Sequence, residues 1–226
     1  LYGDFYISKE FINKTSLTSQ SSKTYSGKFI AERIGNKIQI SSGNEVLEFD
    51  DEIIFHPSIP ETEFFTLLDV SIGIEFHWER KEKQKFKGLL KFIKDKDKIT
   101  AVNIINVEEY LRSVISSEMS ARSAVESLKA HSIISRSWLL AQIEKSKKMK
   151  EEKTKEINFI QTDEEIINWY DREEHELYDV CADDHCQRYQ GITKIISDNV
   201  MTAVRETNGL VLIYENEICD TRFSKS

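Results

Sequence analysis

The chain has 226 residues and a formal net charge of −8, and 39% of its residues are hydrophobic. This length and composition predict a globular protein of one or two domains with a sizeable core. The acidic balance argues against a nucleic-acid-binding protein, which would normally present a basic face. No stretch of the chain approaches the roughly 18 apolar residues of a membrane-spanning helix.

The first part of the chain is predicted to be rich in β-structure. Gly35 and Asn36 lie between two short strand-like segments and favour a hairpin turn. Gly43 and Asn44 form a second turn of this kind, which leads into a third strand. The predicted strands cover residues 28–33, 37–42 and 46–49, and the Ser- and Thr-rich residues 14–24 are predicted to form a loop.

A second hairpin is predicted further along the chain. Pro57 and Pro60 interrupt the strand pattern and indicate a connection. Beyond them, residues 70–78 and 84–92 have strand-like composition, and the charged residues 79–83 between them are predicted to form the turn. The predicted domains are a β-rich region over residues 1–92 and a second domain over residues 93–226.

The second domain begins with a predicted strand, followed by two helices and the joint between them. Asn106 is a good N-cap for the first helix, and Glu109 completes a capping-box pattern. Ser120 is predicted to cap the second helix, and Leu128 and Trp138 lie on its predicted core-facing stripe. The predicted elements are a strand over 99–105, a helix over 107–115, the joint 116–120, a helix over 121–144, and a charged helix extension or mobile loop over 145–156.

Glu118 is the candidate catalytic residue in the joint between the two helices. It stands in the tetrapeptide Ser116-Ser117-Glu118-Met119. Loops held on a rigid scaffold carry a large share of catalytic residues, so one interpretation is a positioned acid/base. From the residues alone, a solvated surface carboxylate is the alternative.

Three blocks of sequence, in order, carry a family resemblance. The first block contains Glu109-Tyr110-Leu111, Val114, Ser117-Glu118-Met119, Leu128-Lys129-Ala130 and Ser135-Arg136-Ser137, the second covers residues 178–192, and the third covers residues 203–226. Together they resemble the SpoIID/LytB family, which comprises stage II sporulation protein D and amidase-enhancer proteins, over about residues 92–226. The resemblance implies an α+β fold, a SpoIID-like core with two central helices and a β-sheet preceded by the β-rich N-terminal segment.

The chain departs from the family pattern at several positions. Ser116 stands where the family usually has proline, and Phe223 stands where it often has tyrosine. The Gly-Gly segment that normally follows the third block would lie beyond Ser226, so the domain is expected to be truncated at its C-terminus. The final hairpin, over residues 210–223 with its turn at 214–217, is expected to add to the core sheet.

The resemblance implies a peptidoglycan lytic transglycosylase. Such an enzyme cleaves the β-1,4 bond between N-acetylmuramic acid and N-acetylglucosamine, and forms a 1,6-anhydro sugar with one glutamate as acid and then base. The implied catalytic residues are Glu118 and Arg136, of which Arg136 is expected to hold a substrate carboxylate or acetamido oxygen. The expected substrate-binding residues are Ser117, Tyr178, His185, Tyr189, Ser224 and Ser226.

The amidase-enhancer members of the family provide the alternative function. In that reading the chain is a non-catalytic cell-wall module that binds glycan and stimulates a separate N-acetylmuramoyl-L-alanine amidase. The expected partners are peptidoglycan glycan strands and a cell-wall amidase, and the expected location is outside the cytoplasmic membrane, with the signal segment missing from this sequence. Catalysis by Glu118 is expected to require no cofactor.

A cluster of histidine and cysteine residues is a separate candidate site. Two imidazoles and two thiols form the ligand set of a tetrahedral structural zinc site. A Cys181–Cys186 disulfide, with Cys219 left over, is an alternative in an exported protein, and reduced thiols without a metal are a third. A catalytic zinc is disfavoured because four protein ligands leave no open position. The candidate metal ligands are His175, Cys181, His185 and Cys186.

Overall fold

The computed structural model shows a mixed α+β protein that divides into two compact units. The first unit comprises residues 1–110 and 190–195, and the second comprises residues 111–189 and 196–226. The structure describes residues 1–8, 23–73, 77, 79–120, 122–152, 159–162, 165–168, 175–183, 185–194 and 196–222.

An antiparallel four-stranded sheet forms the centre of the first unit. Its strand order is β1-β5-β8-β9. Ile53 and Phe55 of the second strand in this order are buried almost completely, and the Phe55 ring packs edge-on against Phe92 at a centroid distance of 6.3 Å. The strands are β1 (Phe5–Ser8), β5 (Glu52–Pro57), β8 (Leu89–Asp95) and β9 (Lys98–Ile104).

A three-stranded antiparallel sheet of order β2-β3-β4 confirms the first predicted hairpin and the third strand. Gly35 and Gly43 occupy the turns with φ of 59° and 56°, a region of backbone conformation that glycine adopts without steric cost. The strands are β2 (Ile30–Ile34), β3 (Lys37–Ser42) and β4 (Glu45–Phe49). Most of the predicted loop over 14–24 lies outside the described residues.

The second predicted hairpin was wrong in its boundaries. The observed hairpin pairs β6 (Phe65–Ile72) with β7 (Arg80–Phe86), and the following segment is the separate strand β8 of the central sheet. The predicted strand over 84–92 is interrupted at Gly88, which has φ of 85° and approaches the carbonyl oxygen of Ile104 so closely that a Cβ would lie 2.5 Å from it. The sequence reading also missed β5, because the apolar run that forms it ends at a proline.

Helix α1 connects the two units along the chain and confirms the predicted cap. Asn106 Oδ1 accepts a hydrogen bond from the backbone N–H of Glu109 at 2.9 Å. The helix runs further than the sequence predicted, because the N–H of Met119 still bonds the carbonyl of Ile115 at 3.2 Å. Its range is Val107–Glu118, so Glu118 is the last residue of a helix and not a loop residue.

The second unit is built around the long helix α2. This helix begins later than predicted, because the Ser120 carbonyl accepts from the Ser123 N–H in a preceding turn at 2.9 Å. Leu128 and Trp138 are buried as predicted. Helix α3 packs against α2 through buried Val200, Ala203 and Val204. The elements are α2 (Val125–Glu152), β10 (Phe159–Gln161), β11 (Ile166–Asn168), α3 (Asp198–Glu206), β12 (Ile213–Tyr214) and β13 (Glu217–Ile218).

The final hairpin forms at the predicted turn but does not extend a larger sheet. Strands β12 and β13 pair as a two-stranded sheet, with Glu215 and Asn216 at positive φ in the turn, and β13 contacts α2. The expectation that this hairpin joins the core sheet was therefore wrong. Within the residues described above, no helix has both the length and the apolar character needed to cross a membrane.

Candidate functional site

Glu118 stands at the C-terminal end of α1 with its carboxylate held at both oxygens. Its Oε2 lies 3.2 Å from Nε2 of His131, on the second turn of α2. Its Oε1 accepts a hydrogen bond from the backbone N–H of Arg188 at 3.1 Å. The two side chains are mostly buried, with 14% of Glu118 and 13% of His131 exposed. Three segments that are distant in sequence therefore fix the orientation of one carboxylate.

Arg136 lies on the same helix as His131 but faces the protein interior. Only 1% of its surface is exposed, and its Nη1 donates to the carbonyl oxygen of Leu210 at 3.0 Å. A side chain so deeply buried has no surface to offer a substrate in this conformation. The Arg136 guanidinium holds the segment that leads into β12, and the expected contact of Arg136 with a substrate stays a prediction.

Two neighbouring contacts strengthen the attachment of this segment to α2. The hydroxyl of Ser137 accepts the backbone N–H of Leu212 at 2.9 Å. The hydroxyl of Thr221 donates to the carbonyl oxygen of Ile134 at 2.7 Å. Ile134, Arg136 and Ser137 of α2 therefore all hydrogen-bond the C-terminal segment that contains the final hairpin. These bonds explain why polar side chains are buried on this part of the helix.

The four candidate metal ligands converge in the loop that precedes Arg188. One ligand atom from each residue lies within 4.8 Å of all the others. Sγ of Cys186 is 3.3 Å from Nε2 of His175 and 3.7 Å from Nδ1 of His185, and Sγ of Cys181 is 3.9 Å from the same Nδ1. None of Cys181, Cys186 and Cys219 forms a disulfide in the structure, so the alternative of a Cys181–Cys186 disulfide is not what the structure contains.

These distances fit the geometry of a tetrahedral zinc ion. With Zn–S bonds of about 2.3 Å and Zn–N bonds of about 2.0 Å, neighbouring ligand atoms lie roughly 3.3 to 3.8 Å apart. The three sulfur–nitrogen distances of 3.3, 3.7 and 3.9 Å lie close to this spacing, although the whole set of ligand atoms extends to 4.8 Å. The donor set is typical of structural zinc. In the metal-free chain, the hydrogen bond with Cys186 and burial together raise the pKa of Cys181 to about 12.

The loop that carries this cluster is tied to α2 close to Glu118. Gln187 is buried, and its Nε2 donates to the carbonyl oxygen of Ser135 at 3.2 Å. The next residue, Arg188, supplies the N–H that binds Glu118. The conformation of this loop therefore determines the position of the Arg188 N–H relative to Glu118.

The stage II sporulation protein (SpoIID) family model matches residues 95–214, which is more than half of the chain. The chain belongs to the SpoIID family. No curated protein and no solved structure matches it. SpoIID domains are associated with cell-wall lytic activity, so the family relates this chain to a cell-wall function. Glu118, His131, Arg136 and the four His and Cys residues all lie inside the SpoIID match.

The remaining predicted substrate residues of the SpoIID domain fall into different environments. The hydroxyl of Ser117 is buried and has no hydrogen-bond partner in the part of the chain that the structure describes. Tyr178 is half-buried and packs on the His175 ring at 4.7 Å. Tyr189 is 6% exposed, so little of its ring lies at the surface, and its contact with a sugar stays a prediction. Ser224 and Ser226 lie outside the described residues.

Sequence reasoning missed both of the groups that contact the Glu118 carboxylate, the His131 imidazole and the Arg188 N–H. His131 follows the Leu128-Lys129-Ala130 motif directly and lies on the same helical face as Leu128, which was the signal available for it. The contribution of Arg188 is a backbone N–H, and no side-chain pattern can indicate it. The predicted domain boundary between residues 92 and 93 stays a prediction, although the SpoIID match begins close to it.

Proposed function

We propose that the chain is a peptidoglycan lytic transglycosylase with Glu118 as its acid/base. The bond cleaved is the β-1,4 bond between N-acetylmuramic acid and N-acetylglucosamine, and the product is 1,6-anhydro-N-acetylmuramic acid. The observation that carries the proposal is the Glu118 carboxylate, which is 14% exposed and held at both oxygens by nitrogen atoms. A carboxyl group with a fixed orientation is what directional proton transfer requires.

The reaction runs in two proton transfers through one residue. Protonated Glu118 gives its proton to the glycosidic oxygen as the bond from that oxygen to C1 of the muramic acid breaks. The 6-hydroxyl of the same sugar then forms a new bond to C1, and the Glu118 carboxylate takes the hydroxyl proton. The glutamate ends in its starting protonation state and no water is consumed.

A single carboxylate is sufficient for this chemistry. Glycosidases that hydrolyse the bond normally use two carboxyl groups, one as the acid and the other as nucleophile or base. A lytic transglycosylase instead uses the 6-hydroxyl of the bound sugar as the nucleophile. The proposal therefore requires one carboxyl group, and Glu118 supplies it.

Other residues support the site without taking part in bond cleavage. Ser117 is next to Glu118, but its hydroxyl is buried and has no surface to offer the glycan in this conformation. Tyr178 and His185 remain candidates for contacts with sugar, since both lie at least partly at the surface. Arg136 positions the segment leading into β12.

We also propose that His175, Cys181, His185 and Cys186 hold a structural zinc ion. When bound, zinc would cross-link the loop, and its four protein ligands would leave no position for a reacting water. The metal would thus support the loop that supplies the Arg188 N–H and would not take part in the reaction. If His185 is a ligand, it is not available for sugar.

The proposed location and partners follow from the proposed substrate. Peptidoglycan lies outside the cytoplasmic membrane, so the enzyme would act there on glycan strands. A cell-wall amidase that removes stem peptides is the proposed partner enzyme.

The test is mass spectrometry of muropeptides after incubation with purified peptidoglycan, with and without its stem peptides. We expect anhydromuramyl products from the wild type and none from Glu118→Gln, which keeps the shape of the side chain but cannot act as an acid. Glu126→Gln is the matched control, because Glu126 is an exposed glutamate on α2 that pairs with Lys129 at the surface. It should retain wild-type activity.

Two results would contradict the proposal. Equal product from wild type and Glu118→Gln would remove Glu118 from the chemistry. No product from either substrate, together with intact glycan binding and stimulation of an added amidase, would establish the non-catalytic accessory module.

A further inference from the structure

His131 has no role in the mechanism above, although it makes a direct side-chain contact with Glu118. Nε2 of His131 and Oε2 of Glu118 are 3.2 Å apart, and both side chains are more than four-fifths buried. The two residues belong to different helices, α1 and α2. A polar contact of this kind between two largely buried groups restricts the side-chain rotation of each.

The chemistry of the carboxylate determines which of the two groups donates. An ionised carboxylate only accepts hydrogen bonds. The acid/base cycle produces this ion as soon as Glu118 gives its proton to the leaving oxygen. An unprotonated Nε2 at 3.2 Å would then direct its lone pair at a negatively charged oxygen. The contact is favourable in that state only if Nε2 carries a hydrogen.

The Arg188 N–H already supplies such a donor at the other oxygen. It contacts Oε1 at 3.1 Å, and a backbone N–H has no alternative role as an acceptor. A second donor on Oε2 would give each oxygen of the carboxylate one N–H. Hydrogen bonds to an ionised acceptor are about twice as strong as those between neutral groups. Both bonds therefore strengthen as the negative charge develops.

We propose that His131 is a positioning residue for Glu118, whose Nε2–H donates to Oε2 and stabilises the carboxylate formed when the acid gives up its proton. This inference rests on the proposed function of Glu118 as acid/base. His131 does not touch the glycan in this scheme. Its loss should therefore lower kcat and leave KM nearly unchanged, because it stabilises the transition state and not the bound substrate.

The first test compares two substitutions at this position. His131→Leu removes the donor at similar size, and His131→Gln restores an N–H that reaches the same carboxylate. We expect His131→Leu to lower kcat by roughly ten- to a hundredfold and His131→Gln to recover most of that loss. Lys129→Ala is the matched control, because Lys129 lies two residues away and pairs at the surface with Glu126 and Glu206; its kcat should be unchanged.

Full kcat in His131→Leu would overturn the proposal. Equal losses in the Leu and Gln variants would do so too, because they would show that the N–H is not what matters. Thermal unfolding of each variant is measured alongside, since a purely structural role would lower stability without the rescue by glutamine.

A second measurement needs no activity and covers the case in which His131→Leu does not fold. The ¹⁵N shifts of the histidine rings report whether Nε2 carries a hydrogen, and the His131 signal is assigned by its disappearance in His131→Gln. We expect a protonated Nε2 in the wild type, and an unprotonated Nε2 would overturn the proposal. Absence of anhydro products from wild type, with a protonated Nε2, would contradict the transglycosylase while leaving this hydrogen bond in place.

Discussion

Arg136 is the largest side chain that the described part of the chain buries completely. A guanidinium is tolerated in such a place only when carbonyl or carboxylate oxygens replace its water. The carbonyl of Leu210 does so at 3.0 Å. Arg136 thereby couples the middle of α2 to the start of the final hairpin, and its contribution should be to stability.

Replacement of Arg136 by methionine tests this assignment. Methionine fills much of the volume but leaves the Leu210 carbonyl without its donor, and an unsatisfied buried acceptor costs about 1 to 3 kcal/mol. We expect the free energy of unfolding to fall by that amount in urea titrations. Arg222→Met should cost less than about 0.5 kcal/mol, because Arg222 is half exposed and its ion pair with Asp220 lies at the surface. Similar losses in both variants would contradict the assignment.

The thiol of Cys181 makes the proposed zinc site depend on pH. Its pKa is raised to about 12 from 9.0 in the metal-free protein, first by the hydrogen bond with Cys186 and then by burial. A folded-state pKa above the unfolded value stabilises the metal-free fold below about pH 9, and this contribution is lost as the pH rises towards 12. Zinc requires the thiolate, so binding must release the proton.

Calorimetric titration with zinc in two buffers of different ionisation enthalpy measures this release. We expect proton release at pH 7 and an affinity that increases with pH. Cys181→Ser should weaken binding by roughly a hundredfold or more, since even the loss of a group that only supports a ligand costs ten- to a hundredfold. Cys219→Ser is the control and should bind as the wild type does, because Cys219 is not part of the cluster. Binding without proton release would argue against thiolate ligation.

At the scale of elements, the segment over residues 190–195 is held to β7 by close backbone contacts. The N–H of Ile192 donates to the Lys85 carbonyl at 2.7 Å, and the N–H of Lys85 donates to the Thr193 hydroxyl at 2.7 Å. Gly191 makes this approach possible. A Cβ on Gly191 would lie 2.1 Å from the Lys85 oxygen and 2.5 Å from an atom of the Phe86 ring.

Two glycine substitutions separate backbone strain from close approach. Gly191 and Gly43 have nearly equal φ, 57° and 56°, but the space around a Cβ at Gly43 is open. Gly43→Ala should therefore cost only the strain of a left-handed residue, about 1 to 2 kcal/mol. Gly191→Ala should cost at least about 2 kcal/mol more, because backbone atoms must move. If denaturant titrations give equal losses of unfolding free energy for Gly191→Ala and Gly43→Ala, the segment around Gly191 can move away from β7 without further cost.

The sequence predicted those elements whose signals are local. The Gly35 and Gly43 turns and the Asn106 cap depend on neighbouring residues, and all three were confirmed. The break at Gly88 was missed, because the residue types on both sides of it favour a strand equally. Glycine is needed at position 88 because the chain there passes close to the carbonyl oxygen of Ile104, sixteen residues away. No local sequence pattern indicates such a contact.

The same distinction applies to the site. Glu118 was found through a motif, and the ligand cluster through four His and Cys residues within twelve positions, and both signals are local in sequence. His131 is thirteen residues from Glu118 and Arg188 is seventy residues away. Their convergence depends on how helices and loop pack. Arg136 was identified by its motif, but its burial was not, since an arginine is rarely buried without partners.

At the scale of the whole molecule, the chain passes between the two compact units more than once. The first unit takes residues 1–110 and then residues 190–195, so neither unit is one continuous segment. Strand β9 pairs with β8, and the segment after Gln190 bonds Lys85. The partners, β8 and Lys85, belong to the first unit. Lys85 and part of β8 lie on the N-terminal side of the predicted boundary between residues 92 and 93.

Fragments of the chain test whether the SpoIID match is an independent folding unit. A fragment over residues 93–226 keeps β9 but loses most of β8, and it keeps Ile192 and Thr193 but loses Lys85. We expect it to unfold well below the melting temperature of the full chain, since these backbone groups lose their partners. A fragment over residues 80–226 restores β7 and β8 and should recover part of the difference. If the shorter fragment melts cooperatively at the temperature of the full chain, the lost contacts with β8 and Lys85 are not needed for its folding. The boundary predicted from the sequence would then be the boundary of a folding unit.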